Sequence, residues 1–197
     1  LPGEQPSSSD IIKLNTNENP YPASPLVAET LAAIQVGELR RYPSPLADEF
    51  CNLAAKIHKV SSESIVPTNG GDELLRLTLT TFANESDTLA ITTPSYSLYP
   101  VLASIQGCSL TEVPLNNDLT YPDKLIELLS NLSAKICILV NPHAPTGTLL
   151  PVSFIDELAD NFEGILVVDE AYVDFVNPIS GYDSIPLIGK HKNLLLL

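Results

Sequence analysis

Short apolar runs alternate with amphipathic stretches through most of the chain, and this alternation constrains the fold more than any other feature. The runs with the length and composition of buried strands are Ser64–Thr68, Thr88–Thr92, Ile136–Asn141, Ile165–Asp169 and Asn193–Leu197, and Ser109–Leu115 is a candidate for one more. Helical spacing of apolar residues fills the intervals, over Asp72–Phe82, Ser97–Gln106, Pro122–Leu132 and Val152–Phe162. Strands that alternate with helices form a mostly parallel sheet covered on both faces. The sequence therefore predicts a three-layer α/β/α domain.

The first 44 residues have a different composition from the rest of the chain. Pro and Ser dominate residues 1–10, and the segment Ile11–Pro25 is dense in Asn and Pro, which predicts an extended arm. A helix is predicted from Pro45 to about Lys59, with Ser44 as its N-cap and Pro45 at the first helical position. We therefore divide the chain into an N-terminal arm with part of a small domain, residues 1–44, and a large domain, residues 45–197.

Charge and cysteine content exclude several classes of function. The net charge of −14 argues against nucleic-acid binding, because a polyanion needs a basic surface. No apolar run is long enough to cross a membrane. Three widely spaced cysteines without CxxC spacing favour reduced thiols in a cytoplasmic protein. No metal-ligand spacing is present, and His58 and His191 are interpreted as surface or boundary residues.

Two polar segments at the ends of predicted elements suggest a ligand site. Thr68–Glu73 joins a predicted strand to a helix, and its paired glycines with the helix N-terminus suit a phosphate, although an ordinary tight turn explains the same residues. Thr93–Tyr96 follows the next strand, where the ring of Tyr96 stacks on a flat heterocycle or covers the rim of the core.

Two further segments follow later strands. Asn141–Gly147 carries two prolines and a glycine, which predict a rigid polar loop. Asp169 ends an apolar strand, so its carboxylate needs a cationic or hydrogen-bonding partner, and a protonated pyridine nitrogen is one such partner. Capping of the next element is one alternative; metal ligation of the Walker-B type is another, but no GxxxxGK(S/T) motif accompanies it. All four segments are expected at the same edge of the sheet. Together they fit a flat, phosphorylated, nitrogen-containing heterocycle.

The order and spacing of these segments resemble fold-type I enzymes that depend on pyridoxal 5'-phosphate (PLP), and among them the histidinol-phosphate aminotransferase family. The resemblance runs from about Lys13 to the end of the chain. It rests on Asn17–Pro20, Arg41–Pro43, Gly70–Glu73, Pro94–Tyr96, Asn141–Gly147 and Asp169–Tyr172. It implies that the large domain of residues 45–197 is an incomplete PLP-binding domain of this fold type.

The resemblance also implies roles for individual residues. The amides of Gly71 and Asp72 would hold the cofactor phosphate, Tyr96 would stack on the ring, and Asp169 would pair with the ring nitrogen. Tyr172 would hydrogen-bond the phenolic oxygen of the ring. Tyr42 would reach the neighbouring phosphate in a homodimer, and Asn19 and Tyr21 would border the substrate pocket.

By the same resemblance, the full enzyme would transfer an amino group between L-histidinol phosphate and 2-oxoglutarate, a step of histidine biosynthesis. Related PLP enzymes, such as an aromatic aminotransferase or an amino-acid-phosphate decarboxylase, are alternatives. A catalytically incomplete PLP-binding chain is a third.

The sequence departs from the family pattern in two places. The family loop carries a second asparagine that holds the phenolic oxygen, and Ala144 stands there, which leaves Tyr172, with His143 or a water as a further donor. We expect PLP binding to be retained with altered electronics. The Schiff-base lysine is expected beyond Leu197, so no catalytic residue is assigned within this chain, which alone is expected to be inactive.

Overall fold

The computed structural model describes residues 10–14 and 17–197, so the first nine residues of the predicted arm lie outside the described part. Residue contacts group the chain into two compact units, Leu1–Leu46 and Ala47–Leu197. The predicted division into residues 1–44 and 45–197 remains a prediction. In the described residues, no helix combines the length and apolar character needed to cross a membrane.

The first unit contains helix α1, Pro25–Ala33. Pro25 occupies the start of this helix, where the missing N–H has no intrahelical acceptor to lose, and the Ser24 hydroxyl accepts a hydrogen bond from the Leu26 amide. The apolar spacing over Leu26–Gln35 predicts this helix with a start one residue later and an end two residues later than observed.

The second unit contains five strands and five helices. The helices are α2 Asp48–His58, α3 Gly71–Phe82, α4 Leu98–Gln106, α5 Leu125–Ser130 and α6 Val152–Asn161. The strands are β1 Thr88–Thr93, β2 Ser109–Pro114, β3 Ile136–Val140, β4 Ile165–Asp169 and β5 Leu194–Leu196. They form one parallel sheet in the order β2-β1-β3-β4-β5. The predicted three-layer α/β architecture is therefore confirmed.

The central strand β3 shows how the sheet is covered on both faces. All five of its residues are buried. Ile136, Ile138 and Val140 join a cluster with α3 and α4, whereas Cys137 and Leu139 join a cluster with α5 and α6. Because successive strand residues point to opposite faces, a continuous apolar run requires a helical layer on each side. Cys137 lies in an apolar strand run, which predicts an unreactive core thiol, and burial raises the pKa of this thiol to about 12.

One predicted strand and one predicted helix start are wrong. Ser64–Thr68 forms no strand: a short 3₁₀ turn spans Ser62–Ser64 and irregular backbone follows. A strand needs a hydrogen-bonding neighbour, and the strand pairs of the described residues all lie within β1–β5.

Helix α2 begins at Asp48, and its N-cap is Ala47 rather than the predicted Ser44. Asp48 and Glu49 then occupy the first turn, where their negative charges complement the helix dipole.

Candidate functional site

The sheet order reverses at β1, and this reversal locates the candidate site. The chain runs from β1 out to β2 and then returns to β3 on the other side of β1. Open α/β sheets bind ligands outside the carboxyl ends of the strands at such a point. Because the strands are parallel, the segments after β1, β3 and β4 lie at the same edge of the sheet. These are three of the four polar segments that the sequence indicated.

The fourth segment, at the start of α3, lies at this edge as well. A Cβ added to Gly71 would lie 3.5 Å from the Leu197 side chain, and Leu197 directly follows β5. The N-cap of α3 is Gly70, which provides no capping side chain. The first amides of a helix have no intrahelical acceptor, so the amides of Gly71 and Asp72 are suited to an anion.

The two acidic side chains in the first turn of α3 have donors of their own. The Glu73 carboxylate accepts a hydrogen bond from the Asn69 amide at 2.5 Å. The Tyr96 hydroxyl donates to the Asp72 carboxylate at 3.3 Å. The second contact connects the start of α3 with the segment that follows β1.

Tyr96 and Tyr99 form an edge-to-face pair at the entrance of α4. Their ring centroids are 5.5 Å apart and the rings are 88° from parallel. Tyr96 is 43% exposed, so part of its ring is accessible at the rim, whereas Tyr99 is fully buried. The sequence pattern singled out Tyr96 and not Tyr99, although Tyr99 follows three residues later and its amide donates to the Tyr96 carbonyl at 3.3 Å.

Asp169 is buried, with 5% of its surface exposed, and it has two hydrogen-bond donors. The Tyr99 hydroxyl lies 2.6 Å from Oδ2, and the Ala171 amide lies 3.1 Å from Oδ1. Each carboxylate oxygen has two lone pairs, so these two donors leave capacity for a ligand donor. Contacts therefore run from Asp72 through Tyr96 and Tyr99 to Asp169.

Burial is the main cause of the raised pKa of Tyr96, and the Asp72 carboxylate is the next. Tyr172 lies close enough to contribute in the same direction. Tyr172 also packs against Phe175, with a centroid separation of 6.4 Å. The structure thus brings Asp72, Tyr96, Asp169 and Tyr172 to one edge of the sheet, as the sequence predicted for their positions.

The loop after β3 is held by the side chain of Asn141, which is completely buried. Its Oδ1 accepts from the Leu150 amide at 2.8 Å, and its Nδ2 donates to the Leu150 carbonyl at 3.1 Å and to the Tyr182 hydroxyl at 2.9 Å. The predicted rigidity of this loop thus has a side-chain cause that proline and glycine content did not reveal.

His143 and Ala144 occupy the loop positions at which a departure from the family pattern is expected from the sequence. His143 is 2% exposed, and its Nδ1 is 2.9 Å from the Thr146 hydroxyl. Burial lowers its pKa, which favours the neutral ring. Its Nε2 has no hydrogen-bond partner within the described residues. Ala144 packs against the cluster of α3 and α4.

Glu170 forms a second buried polar group beside Asp169. Its carboxylate accepts hydrogen bonds from the Tyr182 hydroxyl at 2.5 Å and from the Ser184 hydroxyl at 2.9 Å. Burial raises the pKa of Glu170, and these two hydrogen bonds oppose the rise. Through Tyr182, the Glu170 carboxylate is connected to Asn141 and therefore to the loop after β3.

The remaining predicted site residues belong to the first unit. The Asn19 side chain accepts a hydrogen bond from the Tyr21 amide at 3.0 Å, and the side chains of Tyr21 and Tyr42 are exposed. Their assigned roles toward substrate and cofactor remain predictions.

A group of charged residues lies away from this edge, around the end of α6. Asp156, Asp160 and His191 have ligand atoms within 4.8 Å of one another. The Lys190 ammonium lies 2.6 Å from Asp156 and 3.5 Å from Asp160, so a cation is already present. His191 is buried and contacts Asp156 at 2.6 Å, which corrects its interpretation as a surface or boundary residue, whereas His58 is exposed.

The parallel sheet with helices on both faces is that of the large domain of fold-type I PLP-dependent transferases. The Aminotransferase class I and II profile matches residues 9–197. The chain belongs to this family.

Sequence relatives and a solved structure agree with this assignment. The chain is 41% identical over 176 residues to a histidinol-phosphate aminotransferase of Rhodopirellula baltica, covering 89% of the chain and 48% of that protein. It is 41% identical over 198 residues to a histidinol-phosphate aminotransferase of Geotalea uraniireducens, covering the whole chain and 54% of that protein. The chain thus spans about half the length of these curated relatives.

The structural comparison gives the same fold. The histidinol-phosphate aminotransferase of Sinorhizobium meliloti, solved in complex with pyridoxal 5'-phosphate, superposes with a TM-score of 0.73 at 22% identity, over 87% of this chain and 46% of that one. At 22% identity, this structural similarity shows the fold alone.

Proposed function

We propose that this chain is the cofactor-binding part of a PLP-dependent aminotransferase that exchanges an amino group between L-histidinol phosphate and 2-oxoglutarate. One observation carries the proposal. The buried carboxylate of Asp169 lies at the same sheet edge as the uncapped start of α3, and Tyr96 and Tyr99 connect the two. Family membership and the names of the relatives support the choice of reaction.

The residues at this edge fit the cofactor by their chemistry. The amides of Gly71 and Asp72 would donate hydrogen bonds to the phosphate at the positive end of α3. Tyr96 would present its exposed ring to the pyridine ring, and Asp169 would hold the protonated ring nitrogen. Tyr172 would donate to the phenolic oxygen, and Ala144 offers no side-chain donor beside it. When bound, PLP supplies an electron sink for removal of a substrate proton.

The residues of this chain would orient the cofactor and place a negative charge beside its ring nitrogen. The Asp169 carboxylate would keep the ring nitrogen protonated, and Tyr96 would exclude water from one face of the ring. These residues bind and orient the cofactor in this proposal, and none of them is assigned the transfer of the substrate proton. Lys190 precedes β5, at the opposite edge of the sheet from the candidate site. Its ammonium donates a hydrogen bond to the Asp156 carboxylate.

The reaction is tested with the natural full-length protein, meaning this chain with whatever sequence accompanies it. Purified protein with added PLP is expected to form glutamate from 2-oxoglutarate and L-histidinol phosphate faster than from 2-oxoglutarate and L-tyrosine or L-phenylalanine. Preference for the aromatic amino acids would assign the second enzyme class. Release of CO₂ from an amino-acid phosphate, without glutamate, would assign a decarboxylase.

Gly70→Ala is expected to weaken PLP binding roughly tenfold and to destabilise the fold by about 1–3 kcal/mol. Gly70 has φ 86° and ψ 168°, a region that only glycine adopts without strain, so alanine displaces the first turn of α3. Equilibrium dialysis and urea unfolding measure the two effects.

Gly189→Ala is the matched control, because a Cβ there also meets open space but its φ is not positive. Equal losses in the two variants would show that the Gly70 backbone is not specifically required.

We also propose a cytoplasmic homodimer in which Tyr42 reaches the neighbouring cofactor phosphate. The three cysteines are free thiols, which suits a reducing compartment, and the Tyr42 side chain is fully exposed within its unit. Sedimentation of the full-length protein tests the dimer. Tyr42→Phe in one protomer of a mixed dimer tests the shared site, since PLP affinity should fall at one site of two.

A further inference from the structure

We infer that Tyr99 is a positioning residue for the pyridine ring of the cofactor, acting through Asp169. The inference rests on the proposed function, because Asp169 must face the ring nitrogen for Tyr99 to matter. Tyr99 does not touch the cofactor in this assignment. It sets the orientation of the carboxylate that does.

The geometry of the pair is specific. The Tyr99 hydroxyl is 2.6 Å from Asp169 Oδ2, the length of a strong hydrogen bond to a charged acceptor. The two residues are 70 positions apart in the chain, so the contact depends on the tertiary fold. The Ala171 amide binds the other oxygen, and together the two donors determine the plane of the carboxylate.

The tyrosine has little freedom to move. Tyr99 is fully buried in the first turn of α4 and belongs to the cluster that covers one face of the sheet. Its ring also packs nearly perpendicular to the ring of Tyr96, the residue proposed to stack on the cofactor. A ring held on two sides fixes the position of its hydroxyl, and Asp169 Oδ2 lies within hydrogen-bond distance of that position.

The proton of this hydrogen bond stays on the tyrosine. Burial, followed by the Asp169 charge, raises the pKa of Tyr99 far above its usual value, so Tyr99 remains a donor at all physiological pH values. Because Tyr99 donates in this contact, Asp169 Oδ2 accepts in it. The unused lone pairs of Asp169 are then available to the ring N–H.

A purely structural role for Tyr99 is the competing account, in which the hydroxyl only satisfies its own burial. The two accounts differ in what they predict for a ligand without the ring nitrogen. We therefore compare PLP with 1-deazapyridoxal 5'-phosphate, in which a C–H replaces that nitrogen. If Tyr99 positions Asp169, removing its hydroxyl lowers the preference for PLP over this analogue. If its role is only structural, the removal changes the affinities for both ligands alike.

Tyr99→Phe in the natural full-length protein is expected to reduce this preference about tenfold, the order of one charge-assisted hydrogen bond, while the affinity for the analogue changes less than about twofold. Asp169→Asn should abolish the preference, and adding Tyr99→Phe to it should cause no further loss. Equilibrium dialysis gives the affinities, and circular dichroism checks the fold of each variant.

Tyr182→Phe is the matched control. It also removes a tyrosine hydroxyl that donates to a buried carboxylate, at Glu170 rather than Asp169, and should leave the preference unchanged. If wild-type protein shows no preference, or Asp169→Asn retains it, the proposed role of Asp169 fails and the inference with it. If Asp169→Asn loses the preference and Tyr99→Phe keeps it, or lowers both affinities equally, the inference alone is overturned.

Discussion

Asp169→Asn is expected to lower the transamination rate of the full-length protein by roughly two to three orders of magnitude, as removal of one preorganised electrostatic group does elsewhere. Asparagine has a similar shape but no charge, so it cannot keep a ring nitrogen protonated. Asp169 is almost fully buried, so water does not replace the lost charge. Single-turnover kinetics with L-histidinol phosphate measure the change in the chemical step.

A matched control is available five residues further along the chain. Asp174 is exposed in the turn Val173–Phe175, and Asp174→Asn changes the net charge by the same amount. We expect this variant to keep wild-type turnover. A loss below about tenfold in Asp169→Asn would be too small for a pyridinium partner, and would assign Asp169 to the capping role instead.

The layers of the fold were predictable from the sequence because both faces of the sheet are buried. A strand covered on two sides reads as a continuous apolar run, and Ile165–Asp169 was predicted with the bounds observed for β4. The same signal failed at Ser64–Thr68, where the run is apolar but has no strand partner in the described part of the chain. Val66 in this run is 64% exposed, so the apolar residues there indicated neither burial nor a strand.

The candidate site was only partly predictable, for a related reason. Sequence position placed Tyr96, Asp169 and Tyr172 at one edge, because the ends of parallel strands coincide. It did not reveal that Tyr99 reaches Asp169 or that Tyr182 reaches Glu170 and Asn141. These contacts connect residues on different elements, and only strand order and side-chain direction bring them together. The sequence therefore predicts which side chains lie at the ends of strands, but not which residues they contact there.

Asn141→Ala is expected to destabilise the protein by about 2–4 kcal/mol, because it leaves the Leu150 amide and carbonyl without their partner. It also removes the hydrogen bond that Asn141 donates to the Tyr182 hydroxyl. That hydroxyl in turn donates to the carboxylate of Glu170, the neighbour of Asp169. The loss should therefore appear both in global stability and in the local order of the loop that carries Ala144. Urea unfolding measures the first effect, and hydrogen exchange of the Leu150 amide measures the second.

Asn161→Ala separates this role from the general effect of removing an asparagine. The Asn161 side chain donates to one carbonyl, that of Glu157, on the exposed face of α6, so its loss should cost less than about 1 kcal/mol. Exchange of the Leu150 amide should be unchanged in this control and roughly a hundredfold faster in Asn141→Ala. Similar urea midpoints for the two variants, with Leu150 still protected, would mean that the prolines alone hold the loop. The side-chain clamp would then have no part in shaping the edge of the sheet where Asp169 lies.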